Sequence, residues 1–324
     1  MIRALILIGA VALFIWNPYP LQYLELKGYD TLIMSTETVQ NENILIVDLD
    51  EDLVKAYEGY PLPRSLYAEL ITKTNAIPGI TVLMPDPDIR GKENDLLLSN
   101  TMREVPTVLA SAASAQTSEQ GLHVGTAQLG EDPLPWLYQY QGILRTESIL
   151  ELNRKGLGLV TATPEIDGVT RRIPLVVNVQ SKLYPAFGLE LLRLAVKDPS
   201  YQLKTTQEGI DWIRVPSYPL MNTDANARIF LDWNTNFYKQ SGLEFLTNPI
   251  DAPFVIFGVT AEGVVNPTPT PAGLKYPHEI QANILHNLIN GSAPSTPTWA
   301  TGAELLGLLT VSYTHLTLPT NREV

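Results

Sequence analysis

The sequence predicts an α/β fold in which a mixed, mostly parallel sheet is covered by helices and preceded by an N-terminal membrane anchor helix. Three observations predict it. Four short β-rich apolar runs, residues 44–47, 80–84, 106–110 and 254–257, are bounded by Pro, Gly, Asn or Asp and do not alternate with polar residues, the pattern of strands buried on both faces. Segments with apolar residues at helical spacing stand between and after them. Residues 4–16 form an unbroken apolar run behind Arg3, with Trp16 and Tyr19 where interfacial aromatics belong.

Taken in order, the apolar head comes first. It is short of the roughly 20 residues that span a bilayer, and the Asn17-Pro18-Tyr19-Pro20 that follows lacks the small residues of a cleavage site. An uncleaved anchor over residues 1–20 is therefore favoured over a signal peptide, and Arg3 places the bulk of the chain outside the cytoplasm, held at the inner membrane. Residues 21–34 carry Leu21, Leu24, Tyr29, Leu32 and Ile33 at helical spacing, and further helices are expected over 64–75, 184–196 and 276–290, the last ending at Gly291. Strands expected over 157–161, 172–179, 210–215 and 227–231 make the sheet mixed. The stretches 266–271 and 292–298 read as extended loops. A second apolar segment over 299–310, interrupted by Glu304, is expected to open a truncated membrane helix. The tail from Val311 to Thr320 resembles a translated transposon-end sequencing adapter, so residues 311–324 are set aside as an artefact and His315 is given no role. The organisation expected is thus an anchor, a folded domain over 21–298, a truncated helix over 299–310, and the tail.

Composition narrows the function. In 324 residues, 34 acidic against 22 basic side chains give a net charge of -12, which repels nucleic-acid phosphate. The absence of cysteine excludes disulfides and thiol chemistry. With 45% apolar and 17% charged residues the chain folds as a globular domain.

In open α/β sheets, ligands gather at the carboxyl ends of the strands. There the first run leads into Asp48, Asp50 and Glu51, the second into Asp86 and Asp88, the third into Ser111, and the fourth into Thr260 and Glu262. Asp48-Leu49-Asp50 after an apolar strand also resembles the start of haloacid-dehalogenase-type phosphatases, in which Asp48 would attack phosphorus. However, Asp52 departs from that pattern, and no downstream acids stand ready to hold magnesium. His278 and His286 lie eight apart, too far for a shared metal, and read as solvent-facing or capping; His123 is isolated. Arg171 and Arg172 enter a strand pointing to opposite faces, so at most one serves a pocket. Arg64, at a helix start, needs a nearby carboxylate, for which Asp48 or Asp50 is expected.

Several short motifs follow one another in order: Tyr29-Asp30; Val47-Asp48-Leu49-Asp50-Glu51; Tyr60-Pro61-Leu62-Pro63-Arg64; Asp167-Gly168-Val169-Thr170-Arg171-Arg172-Ile173-Pro174-Leu175; Tyr184-Pro185; Gly258-Val259-Thr260-Ala261-Glu262-Gly263; and Glu279-Ile280-Gln281-Ala282-Asn283. In this order the chain resembles the CHASE type 2 extracytoplasmic sensory domain of bacterial transmembrane receptors over about residues 21–290. Tyr60 and Leu62 stand where the family has tryptophans, and Gln281 where a histidine is common. The resemblance implies a sensor without catalysis, metal or cofactor, on the outer side of a membrane. It also implies an output domain, a nucleotide cyclase or a kinase, beyond this chain. The expected partners are an unidentified small-molecule signal and the membrane, with a homodimer left open and no nucleic acid. The expected ligand contacts are Asp48, Asp50, Arg64, Asp86, Arg171 and Thr260. The alternatives are the Asp48 phosphatase and a purely structural dimerisation module.

Overall fold

The computed structural model describes residues 2–116, 118, 125–144, 146–297 and 299–317; His123 and residues 318–324 of the set-aside tail lie outside them. The chain divides into two compact units, one of Ile33–Pro294 and one combining Met1–Leu32 with Ser295–Val324.

The larger unit is built on a six-stranded sheet: β1 (Val39–Leu49), β2 (Ile77–Ile80), β3 (Val108–Ser111), β4 (Gly156–Leu159), β5 (Thr235–Ser241) and β6 (Phe254–Val259), in the order β5-β1-β6-β2-β3-β4. Every pairing in it is parallel. All four apolar runs fall on or beside its strands, and the missing alternation has the expected cause. On β1, Ile44 and Ile46 enter one hydrophobic core while Leu45, Val47 and Leu49 enter another on the opposite face. The first core is completed by α6 (Phe187–Ala195) and α8 (Pro277–Asn290). The second is completed by α3 (Glu51–Ala56), α4 (Arg64–Thr72), α5 (Lys92–Glu104) and α7 (Gly242–Thr247).

Close approach of α6 to the sheet depends on glycine. A Cβ on Gly158 would lie 2.3 Å from the Phe187 backbone, and one on Gly79 would lie 2.6 Å from the Phe187 ring. The residue standing where histidine is common, Gln281, is buried and accepts the N–H of Gly188 at 3.0 Å, tying α8 to the start of α6.

A second, mainly antiparallel sheet joins Gly125–Gly130, Ser200–Thr206, Gly209–Arg214 and Met221–Asn222. The strand expected over 172–179 is two: Arg172–Pro174 pairs with Arg228–Phe230, and Val176–Val179 with Lys182–Pro185. The expected loop over 266–271 contains a short strand, Thr268–Thr270, paired with Gly273–Lys275.

In the smaller unit the apolar head forms α1 (Ile2–Trp16), which stops at Asn17-Pro18 because proline has no N–H to continue the helix. A second helix, α2 (Tyr19–Met34), begins after it, and α1 packs against α9 (Ala300–Thr317). Among the described residues no helix is long and apolar enough to cross a membrane, so neither the expected anchor nor the expected start of a second membrane helix gains support from this unit. At 1.5 Å per residue, α1 reaches about 22 Å, against a hydrocarbon core of roughly 30 Å. Helix α9 continues through Val311 without a break.

Candidate functional site

The carboxyl ends of the central strands open on a cavity of about 200 Å³ lined by Tyr60, Thr81, Val82, Leu83, Val160, Val259, Val264, Val265, Pro277 and His278. Most of this wall is aliphatic because the strands carry their apolar runs to the rim. Thr81 is fixed by donating its hydroxyl to the Phe257 carbonyl at 2.9 Å.

The central polar group is His278, in the first turn of α8. Its ring is 1% exposed, stacks on Tyr276 with centroids 5.8 Å apart, and places Nε2 2.9 Å from Asp48 Oδ1. Since a carboxylate only accepts, Nε2 carries the hydrogen in this bond. Asp48 occupies the β1 position after Ile44 and Ile46 on the α8 face, and its register partner on β6 is Gly258. The imidazole lies over that pair: a Cβ on Gly258 would sit 2.1 Å from the ring. Glycine is therefore required for close approach, and motifs more than 200 residues apart converge at one point. Next on the helix, Glu279 accepts from the Tyr276 N–H at 2.8 Å and from Lys239 Nζ at 2.5 Å. Burial works to raise this carboxyl, but those donors outweigh it and hold Glu279 below the usual glutamate range.

The six expected contacts divide. Asp48 is at the cavity, behind His278. Thr260 is beside it through its backbone, with its N–H on Leu49 and its carbonyl accepting from Tyr276 Oη at 3.1 Å. Asp50 is the N-cap of α3, accepting from the Leu53 N–H at 3.0 Å. Arg171, 0% exposed, is held by both oxygens of Asp167 at 2.9 and 2.8 Å. Its neighbour Arg172 pairs with Glu165 and Asp224.

Arg64 finds other carboxylates than the expected Asp48 or Asp50. Its backbone N–H donates to Asp88 at 2.7 Å, and its guanidinium faces Asp95 at 3.6 Å and the Asp86 carbonyl at 3.3 Å. The loop after β2 folds back over the helix start, so Asp88 meets the positive end of α4. Asp95 in turn accepts the Asp88 N–H at 2.8 Å; burial raises its carboxyl, partly countered by that bond and by Arg64. The side chain of Asp86 is exposed.

Both histidines of α8 correct the sequence reading, since neither faces solvent nor caps the helix. His286 is 3% exposed, with Nδ1 2.6 Å from Asn41 Nδ2 and 3.1 Å from Asn290 Nδ2. Asn41 Oδ1 accepts the N–H groups of Asn43 and Ile44, which fixes the amide and makes Nδ1 the acceptor. Burial lowers the pKa of His286, with Asp232 opposing. Reading the histidines against metal spacing hid both roles. The Pro277-His278 step at a helix start, 230 residues from its partner Asp48, carries no local pattern that marks it. For the phosphatase reading, Asp50 is committed to its cap, and among the described residues no three acidic or histidine side chains gather as metal ligands.

The model of the CHASE2 domain matches residues 5–317, and the chain belongs to this family of sensory domains. That match extends beyond 21–290 at both ends. No curated protein and no solved structure matches the chain.

Proposed function

We propose that the chain is the signal-receiving domain of a membrane-bound bacterial receptor, with the His278 cavity as its receiving site. The single observation that carries this is a buried imidazole, oriented by Asp48, facing an aliphatic cavity at the carboxyl rim of a parallel sheet. Sites of this kind combine an apolar wall with few convergent polar groups. The chemistry suits a small, largely apolar molecule with one polar group for the imidazole and the Thr81 edge. Of the expected contacts, Asp48 belongs to this set as the group that positions His278. Asp50, Arg64 and Arg171 belong to the framework, because their charges are occupied within the fold.

Attachment at the inner membrane, with the domain outside the cytoplasm, is supported by Arg3, by the family's usual placement, and by the exposed Ile8, Leu13, Ile15 and Trp16 of α1. Binding changes output only if one arrangement of the domain holds the signal more tightly, and about 5.5 kcal/mol of such preference moves a population from 1:99 to 99:1. The cyclase or kinase that reads this change belongs to the rest of the receptor.

The test is to fill the cavity in a full-length receptor with Val264→Phe. Expected is loss of the response to signal with basal output and folding retained. An unchanged response would remove the cavity from the account. Labelling an engineered surface cysteine in intact cells with a membrane-impermeant reagent tests the placement: the label reaches an extracytoplasmic domain and not a cytoplasmic one.

A further inference from the structure

A second cleft, of about 370 Å³, lies along the face of β5 turned toward α8, and it is independent of the His278 cavity. Thr235 and Lys239 are four apart on β5, so they point the same way. Across from them stand Lys275, Glu279 and Asn283. Two buried polar atoms of this lining have no partner among the described residues: Thr235 Oγ1 and Asn283 Oδ1, on side chains 7% and 2% exposed. The Asn283 amide cannot be turned to relieve this, because its nitrogen already donates to the Glu279 carbonyl at 3.1 Å. An unmade hydrogen bond at a buried amide oxygen costs folding free energy, and a ligand that supplies the donor recovers it.

Charge narrows what the ligand is. Lys239 and Lys275 both approach Glu279 Oε1, at 2.5 and 3.7 Å. Two ammonium groups against one carboxylate leave one positive charge, and the 3.7 Å separation leaves the N–H groups of Lys275 free to turn to a ligand. A monoanion neutralises the cleft. A phosphate dianion would leave it negative.

From the paired lysines and the unpartnered Thr235 and Asn283 groups we infer that this cleft binds a small hydroxycarboxylate. The carboxylate lies at Lys275 and Lys239, and the hydroxyl donates to Asn283 Oδ1, with Thr235 Oγ1 completing the contact. This is a second site, chemically unlike the apolar cavity on the other side of the first turn of α8, and it stands whether or not that cavity receives a signal.

The test is titration of the full chain with glycerate, and with acetate as a carboxylate lacking the donor, followed calorimetrically. Glycerate is expected to bind about tenfold more tightly than acetate, as one added hydrogen bond to a buried acceptor allows. Asn283→Leu should reduce glycerate to the affinity of acetate, and Lys275→Gln, on a partly exposed side chain that folding tolerates, should weaken both. Val264→Phe, which fills the other cavity, should leave both unchanged. No saturable binding of glycerate, equal affinity for the two acids, or titrations of Lys275→Gln that match the parent chain would each overturn the inference.

Discussion

Helix α8 is fastened to β1 by two histidines, one at each end. His286 meets Asn41 where the strand begins, and His278 meets Asp48 where it finishes. The first ring meets the amides of Asn41 and Asn290, the former oriented by two backbone N–H groups, and burial lowers its pKa. The second is paired with a carboxylate, pressed against a glycine, and open on one side to a cavity. The comparison separates two uses of one residue type. At the amino end of the strand the ring is tied by the amides of Asn41 and Asn290, at the edge of a cleft of about 430 Å³ away from the carboxyl rim of the sheet. At the carboxyl end the same helix presents an imidazole with one face unclaimed by protein, on the side of a parallel sheet where ligands gather.

The largest expected effect breaks the amino-end contact. Asn41→Leu removes the acceptor for two backbone N–H groups and the donor to His286, leaving buried polar atoms unmade, and should cost about 3 kcal/mol in a denaturant titration. Next is Gly258→Ala at the carboxyl end. Its methyl meets the His278 ring, so the ring must shift off Asp48, with a stability loss of about 2 kcal/mol and loss of the signal response. A smaller effect comes from pH. The folded pKa of His286 lies below the 6.5 of an unhindered histidine. Above 6.5 neither state is protonated and the group contributes nothing. As pH falls below 6.5 the unfolded chain takes a proton that the folded chain refuses, so stability declines until the lowered folded value is reached. Thermal melts between neutral and mildly acidic pH should show this decline in the parent chain and a shallower one in His286→Asn.

How far the sequence alone revealed this design follows the same division. The central strands were legible because burial on both faces forces unbroken apolar runs. Edge strand β5 was not, because Asn236, Tyr238 and Lys239 are exposed and its sequence shows no such run. Helix α5 escaped for a related reason: it buries Asp95 and Ser99 beside Leu98 and Met102, so its inner face is half polar. The apolar head was legible as a helix, which ends after Trp16 at the Asn17-Pro18 step. At the site, Asp48 was legible from its place at a strand end. The same rule also selected Asp50, whose carboxylate caps the next helix. Arg171 was drawn in by its charge, yet it is completely buried on Asp167, an arrangement set by tertiary packing. His278 required knowing which helix crosses β1, and that pairing spans 230 residues.

The most direct measurement compares the two histidines in a full-length receptor, replacing each with asparagine and recording signal response under conditions where both variants are folded. The account predicts that His278→Asn abolishes the response while His286→Asn retains it. A response that survives His278→Asn, or that is lost equally in both, would contradict it.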